Sequence, residues 1–125
     1  NDKNTILIAE DEEINYLYLE EILSELELKI LHAKNGLEAV DFCKNNPDIE
    51  LVLMDIKMPE MNGLEATRLI KEMNQDLPVI AQTAYAMETD KEKAFEIGCD
   101  GYLSKPINKN DLLSLIRSLI KIPVN

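Results

Sequence analysis

The chain has 125 residues, 46% of them hydrophobic, which suits one domain with a core of its own. Thirteen basic residues against twenty-four acidic ones leave a net charge of -11. That balance argues against a nucleic-acid groove, which needs a basic footprint, and suits a divalent cation or a basic partner.

No apolar run is long enough to span a bilayer, and the polar start Asn1-Asp2-Lys3-Asn4 has no signal-peptide character. Cys43 and Cys99 lack metal-ligand spacing and read as reduced thiols of a cytoplasmic protein. The absence of an initiating Met points to a domain cut from a longer polypeptide.

Taken in order, Thr5-Ile6-Leu7-Ile8-Ala9 predicts a buried first strand ending at the acids Glu10 to Glu13. A helix follows from Glu13 to about Leu26, with Ile14, Leu17, Tyr18, Ile22 and Leu26 at helical spacing. Leu28 to Ala33 is the second strand, and His32 within it reads as a surface residue. Asn35 with Glu38 caps a second helix, which carries Ala39, Val40 and Cys43 on one face and stops before Pro47.

Leu51-Val52-Leu53-Met54 then run without a break into Asp55, a strand covered on both faces. The loop from Ile56 holds Pro59 and ends at Asn62-Gly63, where Asn62 with Glu65 caps a third helix through Ala66, Leu69, Ile70 and Met73. A fourth strand lies within Leu77 to Ala84, with Pro78 at its start. Thr89 with Glu92 opens a fourth, weakly patterned helix to about Ile97, carrying Ala94 and Ile97 and, less clearly, Met87 and Phe95, and Gly98 closes it. Gly101 to Lys105 is a short fifth strand before Pro106. Asn108 with Asp111 caps the last helix, with Leu112, Leu115, Ile116 and Leu119 inward and Leu113 and Ile120 outward.

Strand and helix alternate five times, which predicts a parallel sheet with helices on both faces. In such a sheet ligands bind beyond the carboxyl ends of the strands. Glu10, Asp11 and Asp55 all fall on that edge. Three carboxylates in one crevice repel unless a cation joins them, and hard oxygen ligands suit Mg²⁺. Thr83 and Lys105, at the ends of strands four and five, bring a hydroxyl and a cation to the same edge. Together these groups can form and neutralise an acyl phosphate at Asp55.

Over nearly its full length the chain resembles the receiver domains of two-component response regulators. The resemblance rests on Glu10-Asp11, Met54-Asp55 with Met58-Pro59 and Asn62-Gly63, Thr83-Ala84, and Lys105-Pro106. It implies a three-layer α/β/α fold with strand order 2-1-3-4-5, in one domain over residues 1–125. It implies that Asp55 is the phosphoacceptor and that Glu10, Asp11, Asp55 and the backbone carbonyl of Lys57 hold Mg²⁺. Thr83 would bond and Lys105 pair with the phosphoryl group, Tyr102 would be the switch aromatic, and the Lys105-Pro106 bond would be cis. Lys57 and Tyr85 would flank the attacking water and influence how long the phosphoryl group lasts, and the bulk of Tyr85, shielding Asp55, implies a long-lived phosphoryl state.

The implied partner is a histidine kinase or a histidine phosphotransfer domain. The implied switch face joins the fourth helix, fifth strand and fifth helix, which could also serve a homodimer. No nucleic-acid or membrane contact is expected of this domain. The Glu10-Asp11 order and the Thr83 to Met87 segment are similar to receivers of hybrid histidine kinases, so a phosphorelay domain excised from such a kinase is favoured over a stand-alone regulator.

Three rival classes are weighed. A haloacid-dehalogenase-like phosphatase also forms an aspartyl phosphate, but it needs a second Asp where this chain has Lys57. A flavin carrier needs a phosphate-cradling loop after the first strand, where this chain has acids. A degenerate receiver acting as an interaction module would have lost the acceptor or the acid pair, and both are present.

Overall fold

The computed structural model describes residues 4–84 and 88–121, without the side chains of Glu88 and Thr89. The Thr89 cap and the expectations placed on Tyr85 and Met87 lie outside the described residues. Ten elements alternate: β1 Asn4–Ala9, α1 Glu13–Leu23, β2 Leu28–Ala33, α2 Gly36–Asn45, β3 Ile49–Asp55, α3 Gly63–Met73, β4 Val79–Thr83, α4 Glu88–Ile97, β5 Gly101–Ser104 and α5 Lys109–Leu119. The five strands are parallel in the order β2-β1-β3-β4-β5, a flavodoxin-like doubly wound sheet.

The three central strands are the continuous apolar runs, because helices cover them on both sides. Alternate side chains feed two separate cores. Leu7, Ala9, Val52, Met54, Val79 and Ala81 face α2, α3 and α4, whereas Ile6, Ile8, Leu51, Leu53 and Ile80 face α1 and α5. The caps form as the spacing predicts: Asn35, Asn62 and Asn108 each accept from the backbone N–H three residues on, at 2.9, 3.0 and 2.9 Å.

One helix turns a partly different face inward from the one its spacing suggests, and another buries more than its predicted stripe. On α1 the buried stripe is Leu19, Ile22 and Leu23, while Ile14 is 83% exposed and Leu17 and Tyr18 are exposed too. On α5 the predicted stripe holds, with Leu112 and Ile116 buried and Leu115 and Leu119 packed against the core, but Leu113 is buried too and Ile120 packs against the same core rather than facing outward. Leu113 therefore belongs to the core and supplies no contact surface.

His32 is also not a plain surface residue. It is half-buried, its ring stacks on Tyr16 at 3.7 Å, and its Nε2 lies 2.8 Å from the carbonyl oxygen of Glu10. Cys43 and Cys99 are free thiols, and burial pushes them up to about 12 and about 11. Few thiolates therefore exist near neutrality.

Candidate phosphoacceptor site

The site is built by strand alternation. Ile8, Leu53 and Leu103 all face the α1/α5 core. Two residues further along each strand come Glu10, Asp55 and Lys105, so their side chains leave the sheet on that same side, at its carboxyl edge. The ladder still holds there, since the Lys105 N–H donates to the Thr83 carbonyl at 2.7 Å.

Glu10 is wholly buried and Asp55 is 3% exposed, whereas Asp11 is open to solvent. One carboxylate oxygen from each of the three comes within 4.8 Å of the others. The Lys105 ammonium lies 3.1 Å from Asp55 Oδ2 and 3.2 Å from Glu10 Oε1. One cation thus faces two buried acids, with a third acid beside them.

The electrostatics follow from that imbalance. Burial, and next the charge on Glu10, push the Asp55 carboxyl up to about 7, although Lys105 pulls the other way. Burial works against the Lys105 charge, but its bonds to Asp55 and its attraction to both acids outweigh that and raise it above the ordinary lysine value. Asp55 thus stands among three acids whose carboxylate oxygens come close enough together to hold a cation. The donors are all hard carboxylate oxygens, as Mg²⁺ requires.

Glu10 is the most firmly anchored member. Its N–H donates to the Ala33 carbonyl at 2.9 Å, and its own carbonyl meets His32. Its Oε1 accepts from Asn15 Nδ2 at 2.5 Å and its Oε2 from the Glu12 N–H at 3.2 Å. Asn15 and His32 carry no sequence signal of this role, because it is created only when α1 and β2 fold against the end of β1.

The loop after β3 is held by close backbone approach. The Gly63 N–H donates to the Ile56 carbonyl at 2.8 Å, and a Cβ on Gly63 would stand 2.2 Å from the Asp55 carbonyl oxygen. The Gly36 N–H donates to the Met61 carbonyl at 3.0 Å, where a Cβ would again stand at 2.2 Å. Glu60 turns the loop with φ 68, a left-handed conformation that non-glycine residues rarely adopt. The Lys57 N–H donates to Asp55 Oδ1 at 3.3 Å, and the Lys57 side chain is exposed. Asp11, Lys57, Met58, Asn62 and Asp90 line a cleft of about 530 Å³ leading to the cluster.

Thr83 is buried at the end of β4, and Tyr102 is half-buried on β5 against the α2/α3/α4 core. The Lys105-Pro106 peptide bond is cis. The structure thus gathers Glu10, Asp11, Asp55 and Lys105 directly, and sets Thr83 at the same edge.

A doubly wound sheet with an acidic pocket and a lysine at its carboxyl edge is the architecture of a receiver. The family model "Response regulator receiver domain" matches residues 6–117, and the chain belongs to that family. Receiver domains are signalling phosphoacceptors rather than conventional enzymes, so the phosphatase and flavin-carrier readings fall away. The chain is similar to the polar-differentiation response regulator DivK of Brucella anthropi, with 37% identity over 119 residues, 93% of this chain and 95% of that protein.

Among solved structures it resembles the receiver domain of Ssk1 of Saccharomyces cerevisiae, crystallised with the histidine phosphotransfer protein Ypd1. That match has 32% identity, a TM-score of 0.86, and covers 94% of this chain and 88% of that one. It also resembles the receiver domain of the sensor histidine kinase PA1611 of Pseudomonas aeruginosa, solved with a magnesium ion in its active-site cleft. Identity there is 28%, the TM-score 0.86, and coverage 94% and 97%.

Proposed function

We propose that Asp55 is the phosphoacceptor of this receiver and takes its phosphoryl group from a phosphohistidine of a histidine kinase or phosphotransfer protein. The observation that carries this reading is a buried nucleophilic carboxylate held 3.1 Å from a lysine ammonium inside a cluster of acids. An Asp55 carboxylate oxygen attacks phosphorus, the phosphorus–nitrogen bond breaks, and the imidazole leaves with its electron pair. Lys105 and the Thr83 hydroxyl then bond the phosphoryl oxygens.

Glu10, Asp11, Asp55 and the Lys57 carbonyl would hold Mg²⁺. The ion would supply positive charge that keeps Asp55 ionised and neutralises the transferring group.

The donor docks beside the cluster, where Ile14, Tyr18 and Pro106 line an open groove of about 830 Å³ rimmed by Glu12 and Glu13. The acidic rim suits a basic partner, and the exposed Ile14 suits an apolar one. The similarity to the Ypd1-bound Ssk1 receiver supports a phosphorelay setting, and the similarity to the receiver of a sensor histidine kinase supports a place within a hybrid kinase, whose receiver would face the cytoplasm.

On phosphorylation Thr83 is drawn in, Tyr102 follows, and the α4-β5-α5 face changes. Self-association through that face would use the exposed Phe95 of α4 rather than Leu113. Acetyl phosphate with Mg²⁺ should add one phosphoryl group, read by intact mass. Asp55→Asn should abolish it, and undiminished labelling of that variant would refute the assignment.

A further inference from the structure

The row of side chains at the carboxyl edge has a fourth member. Ile80 faces the α1/α5 core with Ile8, Leu53 and Leu103. Gln82, two residues on, therefore lies on the same side as Glu10, Asp55 and Lys105. The registers agree: Gln82 pairs with Asp55 on β3 and with Leu103 on β5. Lys105 comes from β5, two residues past Leu103, and reaches Asp55 on β3 and Glu10 on β1, so its side chain passes over the end of β4 just beyond Gln82.

Gln82 is 3% exposed, and neither its Nε2 nor its Oε1 has a hydrogen-bond partner among the described residues. A buried amide left unpaired destabilises the fold, and such groups are rare in native interiors. Here the unpaired donor and acceptor belong to the residue that pairs in register with Asp55, on the side of the sheet from which Asp55 meets Lys105. Lys105 has three N–H donors and spends contacts on two carboxylates.

We infer that Gln82 is a positioning residue whose amide becomes paired when the site is phosphorylated. As Lys105 turns from Asp55 Oδ2 to a phosphoryl oxygen, that carboxyl oxygen loses its donor. Gln82 Nε2 replaces it, and Gln82 Oε1 accepts from the relocated ammonium. The resting state carries the unpaired amide and the phosphorylated state relieves it, so Gln82 biases the equilibrium toward the switched form. This rests on the reading of Asp55 as acceptor and Lys105 as its phosphoryl partner.

The test uses the full chain, with beryllofluoride and Mg²⁺ standing in for the phosphoryl group. Gln82→Leu removes the amide at similar volume, and Gln82→Met does so with a flexible side chain should the branched one fail to fold. The variants should melt no lower than wild type without ligand, yet bind beryllofluoride about tenfold more weakly. The Gln82 side-chain amide resonances, identified by their loss in the variants, should shift on loading. Affinities within about twofold of wild type for both variants, or amide resonances that do not move, would overturn the inference. Failure of the wild-type domain to bind beryllofluoride would overturn the assignment of Asp55 itself, and this role of Gln82 with it.

Discussion

Replacing Asp55 by Asn should stabilise the metal-free domain, and by an amount that depends on pH. The Asp55 carboxyl moves from an ordinary 3.8 to about 7 on folding, first through burial and then through Glu10. Between those values the folded state holds a proton that the unfolded chain has released. Rising pH therefore favours unfolding, and the loss is complete above about pH 7. At 1.36 kcal/mol per pH unit the penalty reaches at most ~4 kcal/mol. Asparagine avoids that penalty but leaves Lys105 with Glu10 alone, so a gain of ~1–3 kcal/mol at pH 8 is expected.

For 125 residues each kcal/mol moves the melting temperature by ~4 °C. Thermal unfolding followed by circular dichroism in EDTA should show Asp55→Asn melting ~4–12 °C above wild type at pH 8, and the gap should close by pH 5. Saturating Mg²⁺ at pH 8 should raise wild type more than the variant, since only wild type offers all three carboxylates. A gap of equal size at pH 5 and pH 8 would show that Asp55 carries no such penalty.

Two further substitutions probe the frame around the site. Gly63→Ala places a methyl group where only 2.2 Å separates it from the Asp55 carbonyl oxygen, so the β3 end must shift. It should cost ~1–3 kcal/mol and depress acetyl phosphate labelling more than the melting temperature. Labelling at the wild-type rate would show that the loop can move without disturbing Asp55. Leu113→Ala should cost ~2–5 kcal/mol, the signature of a core leucine. A change below ~0.5 kcal/mol in a denaturant titration would restore Leu113 to the surface.

What the amino-acid sequence settled by itself was the order of elements and the edge at which the acids meet. Unbroken apolar runs as short as Leu51 to Met54, bounded by charged residues and a Pro- and Gly-containing loop, read as strands covered on both sides. Once all strands are parallel, residues just past their carboxyl ends share one rim. Glu10, Asp11, Asp55, Thr83 and Lys105 were legible for that reason, and so were the three asparagine caps, whose signal lies within four residues.

Tertiary structure decided whatever depends on which of two acceptable faces is turned inward. On α1 both Ile14-Leu17-Tyr18 and Leu19-Ile22-Leu23 satisfy helical spacing, and α5 has more apolar residues than one stripe can hold. The packing of each helix against β1, β3 and β4 breaks the tie, burying Leu19 and Leu113 and leaving Ile14 outside. The links from His32 and Asn15 to Glu10 join residues on different elements, and no periodicity records them. Gln82 read as one more residue of a buried strand. Only the sheet's register, which pairs it with Asp55, sets it beside the site.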